Sequence, residues 1–295
     1  MMTFQLSEKA HIGFVHLKVR GLEDSLMFYR DIVGFIETQR NGETAFLSAT
    51  GSTPHQIILT EDKNAAQRSR RSPGLFHIAI RFPNRRELAG MFKRIDESRW
   101  QFHGFSDHGV SEALYLADAD GNGIELYVDR PKDEWKFRNG TIEMTTKELD
   151  IDNLLHELPK EMPSRHVIHP QTDIGHIHLQ ISDLAKAEQF YCGMLGFDVT
   201  QRNYPGALFV SAGGYHHHIG LNIWNSGGSA PALKNALGLQ RFGIHIPDRE
   251  NLEQLQEKLT RSAYPFSENT LGGQDTRSIV VRDSDKIEIE IFSNE

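Results

Sequence analysis

Apolar and polar positions along the chain repeat one order of elements four times. Residues 15–20 alternate, with Val15, Leu17 and Val19 set against His16, Lys18 and Arg20, the two-residue period of a strand with one greasy face. Elsewhere the spacing changes to three and four, as in Leu88, Met91, Phe92 and Ile95, which predicts an amphipathic helix. Read this way, segment 11–61 predicts a strand at 16–20, a helix at 22–32 and strands at 45–49 and 56–60. Segment 74–129 predicts a strand at 76–82, a helix at 86–97 and strands at 113–117 and 123–128. Segment 174–224 follows with 176–181, helix 184–194, 207–211 and 217–223, and segment 238–292 with 242–246, helix 251–261, 277–282 and 286–292. Pro83-Asn84, Asp120-Gly121-Asn122-Gly123 and Gly213-Gly214 punctuate the turns.

Two of these segments are copies. IGFVHLKVRGLEDSLMFYRDIVGF at 12–35 lies on IGHIHLQISDLAKAEQFYCGMLGF at 174–197 without a gap, matching Ile12/Ile174, Gly13/Gly175, His16/His178, Phe28/Phe190, Tyr29/Tyr191 and Gly34/Gly196. A repeat of this length decides the architecture. The expectation is an α+β chain of four modules.

Composition narrows the function. At 295 residues, 38% hydrophobic and 24% charged, the chain reads as an ordinary globular protein of one or two domains. A net charge of −8 argues against nucleic acid, and Arg68, Arg70 and Arg71 read as a solvated loop. No run of about 20 apolar residues is present, so no membrane span is expected. The N-terminus lacks the apolar core of a secretory signal. Cys192 stands alone, in keeping with a reducing cytoplasm, and its place in FYCGMLGF suggests a packed thiol rather than a nucleophile. Histidine is the outlier, with 15 residues, several clustered.

Alternation indicates which side chains enter the interior. Phe76, Ile78, Ile80 and Phe82 form the greasy face of their strand, leaving His77 and Ala79 opposite; Tyr115 and Glu125 likewise oppose the greasy sets of theirs. Two histidines and one carboxylate on rigid strands make a non-haem Fe(II) ligand set. His77 and Glu125 are expected ligands. The third depends on module pairing: His178 if modules pair 1+4 and 2+3, His16 if they pair 1+2 and 3+4. His178 is preferred, because module three adds His176, His216, His217, His218 and Asn222, and a surplus of buried imidazoles is costly without a task. Module four has Arg241 where module two has His77, although Glu290 resembles Glu125. His217 or His218 suits proton transfer; repeat alignment selects His217, which matches His55, whereas alternation from Asn222 selects His216 and His218. Asp118 and Asp120 read as turn residues of DADGNG.

The βαβββ order and the phrases GNGIELY, HIHLQISDL and GGYHHHIGLNIW resemble the vicinal oxygen chelate (glyoxalase/bleomycin resistance/dioxygenase) superfamily, and within it the Bacillus-type catechol-2,3-dioxygenase group. The resemblance spans nearly the whole chain outside a connector at 130–173. It implies barrel-like module pairs, here 9–129 and 174–295, and one Fe(II), with Mn(II) as the substitute, held by one histidine from one module and a histidine and glutamate from its partner. The implied activity is extradiol cleavage of a catecholic substrate by O2, with His108 and Tyr115 placed to orient that substrate. Homo-oligomers through sheet edges are compatible with this fold. A glyoxalase-type lyase or isomerase is the alternative, but its fourth ligand, a second carboxylate, is replaced by Asn222 or Thr60. A metal-free antibiotic-binding protein of the same fold needs no such histidines.

Overall fold

A computed structural model describes residues 4–138, 140–158, 167–269 and 276–294. Each module is a strand, a helix and three strands. Module one comprises β1 His11–Val19, α1 Leu22–Leu26, β2 Ile36–Asn41, β3 Thr44–Ser48 and β4 Ile57–Glu61. Module two comprises β5 Gly74–Phe82, α2 Arg85–Glu97, β6 Phe102–Asp107, β7 Ser111–Ala117 and β8 Gly123–Asp129. The connector holds β9 Phe137–Arg138, β10 Thr141–Ile142 and α3 Ile151–Leu155. Module three runs through β11 Asp173–Gln180, α4 Leu184–Glu188, β12 Asp198–Gln201, β13 Ala207–Ser211 and β14 Ile219–Asn222. Module four closes the chain with β15 Gly238–His245, α5 Arg249–Arg261, β16 Phe266–Asn269, β17 Thr276–Arg282 and β18 Glu288–Asn294.

Hydrogen bonding orders sixteen of these strands in two open eight-stranded sheets, β16-β17-β18-β15-β1-β4-β3-β2 and β12-β13-β14-β11-β5-β8-β7-β6. The strands of modules one and four thus share one sheet and those of modules two and three the other, and neither closes into the expected barrel. Alternation missed one strand per module, namely β2, β6, β12 and β16, and all four are sheet edges. An edge strand such as IETQRN has little apolar face to display.

The predicted helices 22–32 and 184–194 are α-helical only at their start. Each then widens into a π-helical turn, Met27–Ile32 and Gln189–Met194. Val33 N–H and Leu195 N–H reach back five residues to the Phe28 and Phe190 carbonyls, each at 2.9 Å. The wide turn buries two consecutive aromatic residues, Phe28-Tyr29 and Phe190-Tyr191. Arg68, expected on a solvated loop, instead folds back and donates to the Ser72 and Leu75 carbonyls at 3.1 and 2.5 Å. No described helix is long and apolar enough to cross a membrane.

The chain divides into two compact units, Met1–His16 with Ala66–Phe76 and His176–Glu295, and Leu17–Ala65 with His77–Gly175. In the second, α2 buries Leu88, Ala89, Met91 and Ile95; in the first, α5 buries Leu252, Leu255 and Leu259. Each unit also contains the same buried polar clasp. Tyr29 donates to Asp118 Oδ2 at 3.0 Å, while Asp118 Oδ1 accepts the N–H groups of Asp120 and Asn122. Tyr191 donates to Asp283 Oδ2 at 3.0 Å, while Asp283 Oδ1 accepts those of Asp285 and Ile287. Asp118, read as a turn residue, therefore also ties module one to module two. Burial pushes both carboxyls up to about 6.

Tyr29→Phe or Tyr191→Phe leaves a buried carboxylate one donor short and is expected to cost about 1–3 kcal/mol in chemical denaturation. The two carboxyls bind protons more tightly folded than unfolded. Their contribution to stability is complete below about pH 4 and is lost as pH rises through about 6. The stability of the natural chain relative to Asp118→Asn/Asp283→Asn should accordingly fall between pH 4 and 7, and a flat difference would contradict the burial effect.

Candidate metal centre

The inward face of module two is set by its ladder. β5 and β8 run parallel with His77 opposite Gly123 and Ala79 opposite Glu125, and β7 places Tyr115 opposite Glu125 and Ala113 opposite Tyr127. Ala79, Ala113 and Tyr127 are fully buried and Tyr115 packs on them, so this face is interior rather than solvated. On it His77 Nε2 lies 2.9 Å from Glu125 Oε2, both side chains buried. Ile78 and Ile80 fill the opposite, greasy side as expected. Phe76 is half-buried, with its ring 5.0 Å from His178 and 5.4 Å from Trp224.

His108 and Tyr115 form a hydrogen-bonded pair beside this face. Tyr115 Oη is 2.7 Å from His108 Nε2, and His108 Nδ1 is 2.7 Å from the Thr145 carbonyl. A carbonyl only accepts, so Nδ1 carries a proton; in the neutral ring Nε2 then accepts from the Tyr115 hydroxyl. The rings of Tyr115 and His77 are 5.8 Å apart. Thr145, which the sequence did not single out, lies in the connector and acts through its backbone, leaving no side-chain signal to find.

In module three the histidines divide by task. His178 Nε2 accepts from Asn222 Nδ2 at 3.1 Å, and its ring contacts Phe76, Phe209 and Trp224. Gly220 makes room for it, since a Cβ there would lie 2.9 Å from the imidazole. His176 and His217 lie ring to ring at 4.1 Å, and His217 Nδ1 is 2.7 Å from His216 Nδ1. His218 Nδ1 accepts the Ala212 N–H at 3.2 Å, with Ser211 Oγ at 3.0 Å. Residues 216–218 precede β14 instead of belonging to it, so alternation carried back from Asn222 does not govern them. The disagreement over which of them faces inward has that origin.

Among the described residues, one group of buried side chains suits a metal ion: His77, Glu125 and His176, with ligand atoms within 4.8 Å of one another. Two imidazoles and a carboxylate match the donors that a divalent first-row metal takes. His176, rather than His178 or His16, completes this group. The distance from strand to helix explains it: His77 stands seven residues before the α2 N-cap Asn84, and His176 seven before the α4 N-cap Asp183. His16 and His178 match each other in the repeat but lie only five residues before Gly21 and Asp183. Counting back from the helix cap is the sequence signal that singles out His176. By the same count His178 matches Ala79, and its ladder partner Gly220, not Asn222, takes the place of Glu125. His16 sits beside Arg241, and burial with that neighbouring charge pushes its imidazole down to about 4. Burial pushes the Cys192 thiol up to about 12, as suits a packed thiol.

Gly175, next to His176, is required for packing: a Cβ there would lie 1.8 Å from Tyr127 Oη. Gly175→Ala must therefore displace Tyr127 from the inward face, at about 1–3 kcal/mol or more; an unchanged thermal midpoint would contradict this.

The chain matches the family model for the Glyoxalase/Bleomycin resistance protein/Dioxygenase superfamily over residues 11–126 and 173–291. It is 43% identical over 267 residues to a catechol-2,3-dioxygenase of Bacillus subtilis, covering 89% of this chain and 92% of that protein. It is 30% identical over 132 residues to a manganese-dependent 2,3-dihydroxybiphenyl 1,2-dioxygenase of Geobacillus genomosp. 3, covering 43% and 39% of the two. In fold it is similar to glyoxalase I from Zea mays, with a TM-score of 0.59 at 15% identity over 97% of this chain and 93% of that one.

Proposed function

The chain belongs to the Glyoxalase/Bleomycin resistance protein/Dioxygenase superfamily, and from that membership we propose an extradiol dioxygenase that opens catechol or a substituted catechol with O2, using Fe(II) held by His77, Glu125 and a β11 histidine. The carrying observation is the buried His77–Glu125–His176 group, in a chain 43% identical to a catechol-2,3-dioxygenase over most of both lengths. His176 is the third ligand in this reading; His178, bound to Asn222, lines the same strand. The glyoxalase-type alternative wants a second carboxylate, and the matching position in module three is Gly220.

Held by these residues, the metal would supply Lewis acidity to the diol and a path for electrons from the diol, which is oxidised, to O2, which is reduced. The same donors accept Mn(II), the ion named for one relative. The chain's own residues do the rest. Tyr115, with its proton committed to His108, presents hydroxyl lone pairs to a substrate hydroxyl and orients the ring. His217 lies against His176 and relays to His216, so it takes the proton that the diol releases and returns it when the ring opens. His218, the other candidate, spends its Nδ1 on Ala212 and Ser211 and holds the loop in place. The apolar inward face of Ala79, Ala113 and Tyr127 excludes water. A chain with one cysteine suits a reducing cytoplasmic setting.

The test is oxygen uptake by anaerobically Fe(II)-loaded protein given catechol, read with the yellow ring-fission product. Uptake with colour is expected, and iron bound without uptake would overturn the activity. His77→Ala, Glu125→Ala and His176→Ala should each lose bound metal, while His178→Ala and His16→Ala keep it; loss in His178→Ala with retention in His176→Ala would transfer the third place to His178. Tyr115→Phe should keep its metal and lose about 10–100-fold in kcat.

A further inference from the structure

The helix N-cap marks equivalent positions in all four modules. Seven residues before Asn84, Asp183, Asp248 and Gly21 stand His77, His176, Arg241 and Phe14. The ladders agree with this count. β5 and β8 pair Ala79 with Glu125, and β15 and β18 pair Gly243 with Glu290. Glu290 is thus the second copy of Glu125, and at 1% exposure it is as deeply buried.

The two nitrogen-donor positions differ. Where His77 stands in module two, Arg241 donates Nη1–H to Glu290 Oε2 at 3.2 Å. Its Nη2 lies 3.8 Å from Glu288, which itself replaces Gly123. Arg241 Nε is buried without a hydrogen-bond partner among the described residues, so the guanidinium is held for its charge more than for a full set of hydrogen bonds. Where His176 stands in module three, the Phe14 ring fills the space over Gly243; a Cβ on that glycine would lie 2.2 Å from it. A buried carboxylate needs a cation or a proton, and here the cation is part of the chain.

We propose that modules one and four carry a closed metal site, in which Arg241 supplies at Glu290 the positive charge that a metal supplies at Glu125, and Phe14 fills the remaining ligand place. The inference rests on reading His77 and Glu125 as metal ligands. It makes the natural chain a binder of one ion, with a second place released when both residues become histidine.

The experiment titrates the metal-stripped full chain with Mn(II), reading free ion by electron paramagnetic resonance and fold by circular dichroism. One equivalent is expected for the natural chain, two for Phe14→His/Arg241→His, and one again when Glu290→Gln is added. With Glu125→Gln in the background these become none, one and none. A folded Phe14→His/Arg241→His protein that gains no equivalent in either background overturns the inference. If the natural chain binds no Mn(II) while the double variant binds one, the module-two site is misread and the closed site stands. Arg241→Met provides the check should the histidine variant fail to fold. It leaves Glu290 buried without its cation and should lower the melting midpoint, with Glu290→Gln in the same chain restoring it. A midpoint unchanged by Arg241→Met overturns the role of Arg241 as built-in cation.

Discussion

A carboxylate buried on a sheet face must be given a positive charge, a proton or a full set of donors. This chain buries Glu125, Glu290, Asp118 and Asp283. Its organisation can be read as three answers to one electrostatic demand. Asp118 and Asp283 take backbone amides and a tyrosine hydroxyl, and hold a proton to unusually high pH. Glu290 takes a guanidinium. Glu125 faces imidazoles, which could share a cation with it but do not replace one. Only the last answer leaves the carboxylate available for chemistry, and the proposed activity sits there.

The repeat explains how one chain holds such different solutions. Duplicated modules inherit the same strand-to-helix length and ladder register, so a residue counted from the helix cap keeps its place on the sheet whatever its identity. His77, His176, Arg241 and Phe14 are one position with four chemistries. The scaffold sets where a group goes, and the side chain sets what happens there.

Much of this was legible in the sequence. Alternation and three-four spacing found every long helix and the inner strands, because those elements bury one face. It failed on β2, β6, β12 and β16, whose edge position removes the pattern being sought. His77, Glu125, Tyr115 and His108 could be singled out because each opposes a greasy strand face or leads into one, and the structure brings His77 to Glu125 and Tyr115 to His108. For the third member the sequence favours His178, whereas the buried group in the structure brings in His176, two residues earlier. Matching the two most similar modules favours a histidine common to both, whereas the candidate group uses a position where they differ, Phe14 against His176. The π-helical turns could not be foreseen, since burying Phe28-Tyr29 and Phe190-Tyr191 side by side is a demand of packing, not of spacing.

The proton on His108 is fixed by the Thr145 carbonyl, which belongs to the connector and to none of the four modules. Duplication can copy a ligand, a cap or a clasp, because these lie inside the repeated unit. It cannot copy a tautomer that depends on a segment present once. Among the described residues the connector meets module two between β6 and β7, so one tautomer beside the candidate centre depends on a segment outside the repeat. Drift in a linker that touches neither metal nor substrate would then reach the chemistry through a single backbone oxygen.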